Sequence, residues 1–265
     1  MGNKKNKMNS IHSTAIVSNK AKLGNNITVL PYAIIEDNVE IGDDCLIGPH
    51  AVIYSGARVG NRVKIHQSAS IAHIPQDLKF GNEETLFFVG DDTVIHEFVT
   101  LHRGTKETGF SRVGNNCLLM AYSHVAHDTV VGNNCILANG VQVAGHVNIE
   151  DFVIIGGMTP VHQFCFVGQH SMIGGGFRIT QDVPPYILTA GEPLKYSGLN
   201  VIGLRRRGFS NEDITTLKKA YSYIYNNSLN LTQAKVKVVE EFGEHPLVKN
   251  VLHFLGQSKR GIIGK

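Results

Sequence analysis

With 265 residues, 42% of them hydrophobic, the chain is long enough to bury a sizeable core. Its formal net charge of +3 is small, which argues against nucleic acid as a general partner. No stretch has the length and apolarity of a membrane span, and the N-terminal MGNKKNKMN lacks the apolar segment of a secretory signal, so we expect a cytoplasmic protein without stable membrane insertion.

An aliphatic residue recurs at every sixth position along most of the chain. Ile, Val or Leu occupies these positions over 11–71, 89–101 and 113–179. This period is the hexapeptide pattern of a parallel β-helix, in which three hexads close one triangular coil of 18 residues. The aliphatic side chain then points inward, and the glycine that often follows it is expected to supply corner backbone angles that other residues resist. We predict about ten coils over residues 11–184.

The four cysteines fall at the interior hexad position where a small side chain fits: Cys45, Cys117, Cys135 and Cys165. Thiols at such positions are typical buried packing residues. Their wide separation predicts neither a disulfide nor a zinc framework, which agrees with a reducing compartment.

Two stretches, 72–88 and 102–112, lose the hexad pattern but preserve its six-residue frame. Loops inserted in a regular solenoid are usual places for binding surfaces. A surface excursion without a function is the alternative interpretation.

The sequence changes character after residue 184. Residues 185–209 contain prolines and glycines and predict an extended connector. Residues 210–265 predict a small α-helical domain with a helix capped by Ser210 and Asp213, a second capped by Thr232 and a third starting at Pro246. Residues 1–10 are interpreted as an N-terminal extension.

Counting in coils of 18 residues places several histidines at one corner of the prism. His124, His127, His146 and His162 fall in the same corner region of three successive coils, and Asp128, Gly145 and Gln163 fall beside them. Two chemistries fit such a cluster. A metal site needs three imidazoles aimed at one point. A transferase needs one histidine as general base, and the adjacent pair His127–Asp128 favours this reading.

Several motifs are more specific than the hexads: QDLKF at 76–80, HRGT at 102–105, HVAHD at 124–128, AGH at 144–146, IIGGMTPVHQFC at 154–165, QDVPPY at 181–186 and GLNVIGLRRRGFS at 198–210. With these motifs the chain resembles the UDP-N-acetylglucosamine acyltransferase family that begins lipid A biosynthesis. The resemblance extends from about residue 10 to the helical tail. It implies a left-handed β-helix, an exception to the usual right-handed crossover.

The resemblance also implies a reaction. An (R)-3-hydroxyacyl group passes from acyl carrier protein to the glucosamine 3-hydroxyl. His127 matches the family's general base, and Asp128 would hold its tautomer. Gly145 matches the backbone N–H donor that stabilises the oxyanion.

Further matching positions imply contacts with the sugar nucleotide or its pocket: Gln76, Asp77, Lys79, His124, His146, His162, Gln163, Asn200, Arg206 and Arg207. No cofactor and no metal ion are implied. A homotrimer is implied, with the cleft between neighbouring prisms. The acidic carrier protein would meet basic surface that includes Arg205, Lys218 and Lys219.

The chain departs from the family pattern at two places. Ile202 stands where relatives often carry glutamate, so one polar contact to the nucleotide is missing or replaced. The connector GEPLKYSG also differs from the commoner form. Met172 and Gly175 match positions that limit acyl length, and glycine leaves the groove open, which predicts a long chain.

Other readings of the pattern are a related N-acyltransferase, a small-substrate acetyltransferase using coenzyme A, and a non-enzymatic solenoid. The first carries an extra N-terminal domain, and the hexads here begin at Ile11. The second lacks the helical tail, and the third would want regular outward-facing residues. The sequence leaves open whether the acceptor carries a 3-hydroxyl or a 3-amino group.

Overall fold

The computed structural model describes residues 8–264, so most of the expected N-terminal extension, residues 1–7, lies outside the described part. The described residues form 27 strands followed by four helices. Most strands have only two residues, as expected when each hexad supplies one short strand and one bend.

The strands, in chain order, are β1 (Ser10–Ile11), β2 (Ile16–Val17), β3 (Lys22–Leu23), β4 (Thr28–Val29), β5 (Ile34–Ile35), β6 (Glu40–Ile41), β7 (Leu46–Ile47), β8 (Val52–Ile53), β9 (Ala57–Val59), β10 (Lys64–Ile65), β11 (Ser70–His73), β12 (Leu86–Val89), β13 (Val94–Ile95), β14 (Thr100–His102), β15 (Phe110–Val113), β16 (Leu118–Leu119), β17 (His124–Val125), β18 (Val130–Val131), β19 (Ile136–Leu137), β20 (Gln142–Val143), β21 (Asn148–Ile149), β22 (Ile154–Ile155), β23 (Pro160–Val161), β24 (Phe166–Val167), β25 (Met172–Ile173), β26 (Ile187–Ala190) and β27 (Lys195–Leu199). The helices are α1 (Val201–Arg206), α2 (Asn211–Ile224), α3 (Leu231–Phe242) and α4 (Pro246–Gln257).

The strands form the three faces of a left-handed parallel β-helix. Face 1 contains every third strand from β1 to β25, followed by β26 and β27; face 2 runs from β2 to β23 and face 3 from β3 to β24. Eight coils are complete, β25 opens a ninth, and single bridges continue faces 2 and 3 before β26 adds a last layer. The predicted fold class is confirmed. We name each edge of the prism after the two faces that it joins, in chain order: corner 1–2, corner 2–3 and corner 3–1.

The core is the inside of the prism, where the six-residue aliphatic positions stack. Ile35, Ile47, Ile53 and Ile65 are at most 1% exposed. Burying an aliphatic side chain of this size contributes roughly 1.5–3 kcal/mol. Repetition along the axis therefore gives a linear core that holds each corner in place.

The corner glycines have a different purpose from the one expected. Gly42 and Gly90 do not have positive φ; the left-handed region is occupied two residues later, by Asp44 and Asp92. A Cβ added to Gly42 would instead lie 2.6 Å from Asn61 Oδ1 of the next coil. Glycine is required here because a neighbouring side chain approaches the backbone, and the expectation about backbone angles is wrong.

Those approaching side chains form a ladder along corner 3–1. In each coil the backbone N–H of an Asn or Asp donates to Oδ1 of the Asn or Asp in the next coil, at 2.7–2.9 Å. The ladder consists of Asn25, Asp43, Asn61, Asp91, Asn115, Asn133 and Asp151. It satisfies corner N–H groups that a bend would otherwise leave unpaired.

Both inserted loops leave the prism at corner 2–3, between β11 and β12 and, one coil later, between β14 and β15. They are shorter than the predicted 72–88 and 102–112. Leu86–Val89 and Phe110–Val113 are paired in parallel over their full length, which draws these residues into face 3. The irregular segments are therefore 74–85 and 103–109.

The connector predicted over 185–209 is not a simple linker, because it contains two paired strands and a short helix. Ile187 and Thr189 are buried and continue face 1 as β26, which pairs with β25 in parallel. β27 returns antiparallel to β26, and Asn200 then caps the short helix α1. The alternating burial of β26 and the helix cap at Asn200 thus produce regular structure, although the prolines and glycines of this segment predict a linker.

The helical tail covers the end of the prism. Ser210 and Asp213 form a capping box at α2, and Pro246 is the first residue of α4, both as predicted. The cap of α3 is Asn230 and not Thr232, because Asn230 places Gln233 where it completes a capping box. Within residues 8–264, no helix is long and apolar enough to cross a membrane.

Candidate active site

Corner 2–3 brings together the polar side chains that the 18-residue frame predicted to meet. His127 and Asp128 lie between β17 and β18, and Gly145 and His146 lie one coil further, between β20 and β21. Gly145 therefore stacks on His127, and His146 stacks on Asp128. The two inserted loops leave the same corner one and two coils earlier.

His127 and Asp128 form a hydrogen-bonded dyad. Nδ1 of His127 lies 2.8 Å from Oδ2 of Asp128. An ionised carboxylate only accepts, so Nδ1 carries the proton and Nε2 keeps its lone pair. The adjacent residues His127 and Asp128 are thus hydrogen-bonded to each other, and Nε2 of His127 is left able to accept a proton.

Three further donors hold the buried Asp128 carboxylate. Thr105 donates its N–H to Oδ1 at 2.9 Å and its hydroxyl to Oδ2 at 2.8 Å, and the Thr108 hydroxyl donates to Oδ1. Burial alone would raise the pKa of Asp128, but the hydrogen bonds from Thr108, His127 and Thr105 outweigh it and lower the pKa. The carboxylate is therefore ionised at neutral pH and fixed in orientation.

Gly145 lets the backbone approach the His127 ring. A Cβ at this position would lie 2.7 Å from Cε1 and 2.8 Å from Nε2 of His127. Among residues 8–264, the Gly145 N–H has no hydrogen-bond acceptor. A free backbone donor thus lies beside the basic nitrogen of the dyad.

His146 lies against the dyad from the next coil. Its ring centroid is 5.2 Å from that of His127, at an interplanar angle of 89°. Nε2 of His146 lies 3.6 Å from Oδ2 of Asp128 and 3.3 Å from Oε2 of Glu107. Phe164 stacks on the other side of the ring at 4.6 Å. Two carboxylates and an aromatic ring therefore fix its orientation.

His124 projects from face 2 next to His102. Its Nδ1 is 2.8 Å from the Thr100 hydroxyl. Burial lowers the pKa of His124 to about 4, helped by His102 and His127. His124 is therefore neutral at pH 7 and suited to hydrogen bonding rather than to carrying charge.

The remaining residues predicted for this corner are more exposed. Gln76 and Lys79 are exposed on the first loop, where Asp77 accepts the Lys79 N–H at 3.0 Å. His162 and Gln163 lie one coil beyond His146, at the same corner, and the His162 ring bonds to its neighbour's carbonyl at 3.0 Å. These residues border corner 2–3, and in the described part of the chain no hydrogen bond joins them to the dyad.

The predicted nucleotide segment lies elsewhere on the chain. Arg206, Ile202 and Met172 line an apolar pocket of about 520 Å³ on face 1, which is the face opposite corner 2–3. Asn200 is buried and caps α1 by accepting the Gly203 N–H.

Arg207 points away from that pocket, with its guanidinium 5.3 Å from the Phe152 ring. Gly175, the second predicted length-limiting residue, is exposed at corner 1–2 just after β25.

Four residues at the site are not predicted as site residues by the sequence: His102, Thr105, Glu107 and Thr108. All four belong to β14 or the segment 103–109 that follows it. The hexad pattern breaks at this corner one coil before His127. That break could have indicated that the residues of the inserted segment lie next to His127. His102 donates from Nδ1 to the Ile74 carbonyl at 2.6 Å and so ties the first loop to the corner.

The alternative of a metal site can be compared with this geometry. Among the described residues, one group has ligand atoms close enough to share an ion, within 4.8 Å: His127, Asp128 and His146. It contains two imidazoles rather than three, and four hydrogen-bond donors already engage its carboxylate. The donor set fits a hydrogen-bonded dyad better than a zinc site.

Two family models match the chain. "Udp N-acetylglucosamine O-acyltransferase; Domain 2" matches residues 182–263, and the bacterial transferase hexapeptide matches 20–55, 38–73 and 110–145. The acyl-[acyl-carrier-protein]–UDP-N-acetylglucosamine O-acyltransferase of Thiobacillus denitrificans is 48% identical over 97% of this chain and 100% of its own length. The relative of the same name from Janthinobacterium is also 48% identical, over 97% of this chain and 100% of its own length.

Solved structures agree with these relatives. The UDP-N-acetylglucosamine acyltransferase of Bacteroides fragilis 9343 superposes with a TM-score of 0.94 at 46% identity, covering 96% of this chain and 99% of that one. The enzyme of Moraxella catarrhalis RH4 has a TM-score of 0.93 at 39% identity, covering 96% and 99%.

A left-handed hexapeptide prism with a histidine–aspartate dyad at one corner defines an acyltransferase of the hexapeptide class. Within that class, the chain belongs to the UDP-N-acetylglucosamine O-acyltransferase family of lipid A biosynthesis.

Proposed function

We propose that this chain transfers an (R)-3-hydroxyacyl group from acyl carrier protein to the 3-position of UDP-N-acetylglucosamine, the first step of lipid A biosynthesis. The names of the curated relatives include this acyl carrier and this acceptor. One observation carries the chemistry: Asp128 holds His127 by Nδ1, which leaves Nε2 basic beside the Gly145 backbone.

The proposed reaction is direct acyl transfer. The sugar hydroxyl gives its proton to Nε2 of His127 while its oxygen attacks the thioester carbonyl, because an unassisted hydroxyl is a poor nucleophile at neutral pH. The tetrahedral intermediate carries an oxyanion, which accepts the free N–H of Gly145. As the C–S bond breaks, His127 returns the proton to the leaving thiolate. Asp128 stabilises the imidazolium between the two steps.

The acceptor sugar is assigned to the histidines around the dyad. His124 and His146 flank His127, and a neutral imidazole can either donate or accept a hydrogen bond. Gln76, Asp77, Lys79, His162 and Gln163 border the same corner and are proposed to complete the sugar-nucleotide site. The reaction so described requires no metal ion and no cofactor.

We infer that the complete cleft needs more than one chain. The dyad lies at corner 2–3, whereas Arg206 of α1 and Met172 of β25 line the pocket on face 1, across the prism. If both groups serve one substrate, corner 2–3 of one chain must meet face 1 of another. A homotrimer of parallel prisms satisfies this condition three times.

The acyl carrier protein is proposed to dock on basic surface near the tail. Arg205 lies on α1, Lys218 and Lys219 lie on α2, and all three are exposed. Complementary charge of this kind speeds association with an acidic partner more than it adds affinity.

One assay tests the proposal. Purified protein is given carrier thioesters of several chain lengths with acceptor nucleotides bearing either a 3-hydroxyl or a 3-amino group, and product masses are measured. We expect O-acylation and, because Gly175 leaves the groove open, preference for a fourteen-carbon over a ten-carbon donor. Acylation of the amino acceptor alone would refute the assigned acceptor. Stoichiometric zinc in active protein would favour the metal alternative.

A further inference from the structure

The segment 103–109 contacts the active corner from outside the hexad frame. It leaves the prism after β14 and returns at β15, one coil before the dyad. Thr105 and Thr108 both bond to Asp128. The Thr105 hydroxyl also accepts the N–H of Glu107 at 3.2 Å, which braces the segment internally.

The Thr108 hydroxyl has a second neighbour, the Phe110 carbonyl at 2.8 Å. Its single proton goes to Asp128 Oδ1, because an ionised carboxylate is a stronger acceptor than a carbonyl. The two threonines therefore anchor the segment on both sides of Glu107. This anchoring places the Glu107 carboxylate, even though its side chain is 70% exposed.

Glu107 and Asp128 reach the same nitrogen of His146. The two carboxylates lie 3.3 Å and 3.6 Å from Nε2. Carboxylates accept and do not donate, so both favour a proton on Nε2. In the neutral ring Nδ1 then keeps the lone pair and is a hydrogen-bond acceptor.

We propose that Glu107 is a positioning residue that fixes the Nε2–H tautomer of His146, so that this ring accepts a hydrogen bond from the sugar nucleotide through Nδ1. The inference rests on the proposed function. It differs from a catalytic role, because Glu107 acts through His146 and takes no part in breaking or forming bonds. Asp128 alone would serve both histidines less well, since its Oδ2 already accepts from His127 and Thr105.

The test is a double-mutant cycle between Glu107 and His146. Glu107→Ala is expected to raise KM for UDP-N-acetylglucosamine about 10-fold, the size expected for losing one hydrogen bond between the substrate and His146, with kcat changed less. Glu107→Gln keeps an oxygen acceptor and should recover part of the loss. In the His146→Ala background, Glu107→Ala should have no further effect. Lys106→Gln, an exposed neighbour in the same segment, is the matched control and should leave KM unchanged.

A tautomer measurement supplies a second readout. Selectively ¹⁵N-labelled histidine distinguishes protonated Nε2 from protonated Nδ1, and His146→Ala identifies the signal. We expect Nε2–H in the unaltered protein and a mixture of tautomers in Glu107→Ala. An unchanged tautomer, or equal losses from Glu107→Ala with and without His146, would overturn the inference. An unaltered protein that acylates no sugar nucleotide would overturn the proposed function itself, whereas active protein with indifferent variants overturns only the role of Glu107.

Discussion

The backbone N–H of the second residue after a strand is hydrogen-bonded to the next coil at corner 3–1 but is free next to the dyad at corner 2–3. At corner 3–1 the N–H of Asn133 donates to Asp151 of the next coil at 2.7 Å. At corner 2–3 the equivalent N–H, that of Gly145, has no acceptor among the described residues. The preceding residue explains the difference. Gly132 leaves room for the Asp151 oxygen, which a Cβ there would strike, whereas corner 2–3 has Ala144.

The comparison shows how a repeat can contain a site. A fully regular corner bonds each coil to the next and leaves few donors for a ligand. Corner 2–3 lacks the Asn/Asp ladder, and there the Gly145 N–H stays free although the next N–H, that of His146, still bonds to the His127 carbonyl at 3.1 Å. The inserted segment 103–109 adds further bonds at this corner through Thr105 and Thr108. Left-handed φ at Asp128 and His146 is shared with the regular corners, so it is not in itself a sign of function.

The largest effect that separates the corners is expected from His127→Ala. Loss of the proposed general base should lower kcat by at least ~100-fold. The melting temperature should change little, because Asp128 keeps its three donors from Thr105 and Thr108. Turnover and thermal unfolding of the same preparation check both statements. Near-normal turnover would contradict the mechanism.

Gly145→Ala should have the next largest effect. The new Cβ would lie 2.7 Å from Cε1 of His127 and turn the ring away from its position. A misplacement of this kind costs activity on the order of 10–100-fold, which steady-state turnover measures directly. Stability should be nearly retained, since the ring can move.

Gly132→Ala is the matched control at corner 3–1. Its Cβ would meet the Asp151 side chain and, at 2.8 Å, the Asp151 N. Because backbone cannot yield as a ring can, this variant should lose stability and keep kcat in its folded fraction. If Gly145→Ala instead lost stability and kept its activity while Gly132→Ala lost kcat, the proposed difference between the two corners would be wrong.

The strict repeat explains why so much of the site is predictable from the sequence. Gly145 and His146 follow His127 and Asp128 by 18 residues, so counting along the chain is enough to place these four residues together. The aliphatic positions enforce that count, since a slip of one residue would turn every inward side chain outward. The three faces and the capping box of α2 follow from equally local signals.

The unpredicted parts lie where no repeat constrains the chain. Thr105 and Glu107 reach the dyad through a seven-residue segment, 103–109, whose path depends on tertiary contacts. Asn200 could be assigned to the nucleotide by resemblance, but its capping of α1 depends on how the chain turns after β27. The purpose of the corner glycines is hidden in the sequence because the side chain that needs their space comes from a different coil.

Acidification gives a smaller effect, with different pH windows for His124, which lies on face 2 beside corner 2–3, and for the ladder at corner 3–1. His124 has a pKa of about 4, below its unfolded value of 6.5, because of burial and then His102 and His127. The unfolded chain takes up this proton first, so the stabilisation is complete above pH 6.5 and is lost as pH falls toward 4. Between pH 6.5 and 5 the loss is at most about 2 kcal/mol.

At corner 3–1, hydrogen bonds from Asn61 lower the pKa of Asp91, so its contribution is lost only below its unfolded value of 3.8. His124→Gln should therefore flatten the dependence of melting temperature on pH between 6.5 and 5 and leave the steeper fall below pH 4. Part of the upper slope will remain, because burial, with Arg207 nearby, also lowers the pKa of His170 to about 4. An unchanged slope in His124→Gln would show that His124 does not titrate in this way.

The smallest expected effect, Asn133→Ala, tests the ladder itself. Asn133 accepts the N–H of Asn115 at 2.9 Å and donates its own backbone N–H to Asp151. Alanine removes the oxygen that accepts from Asn115 and also the longer Nδ2 contacts to Asp151 at 3.3 Å. The Asn115 N–H is then left unpaired, at a cost of about 1 kcal/mol. Asn148→Ala, exposed on face 3, is the control and should be nearly neutral. Because corner 2–3 has no such ladder, kcat should be unaffected in both variants. A loss of activity in Asn133→Ala at unchanged stability would mean that the two corners are coupled and that the ladder has more than a structural role.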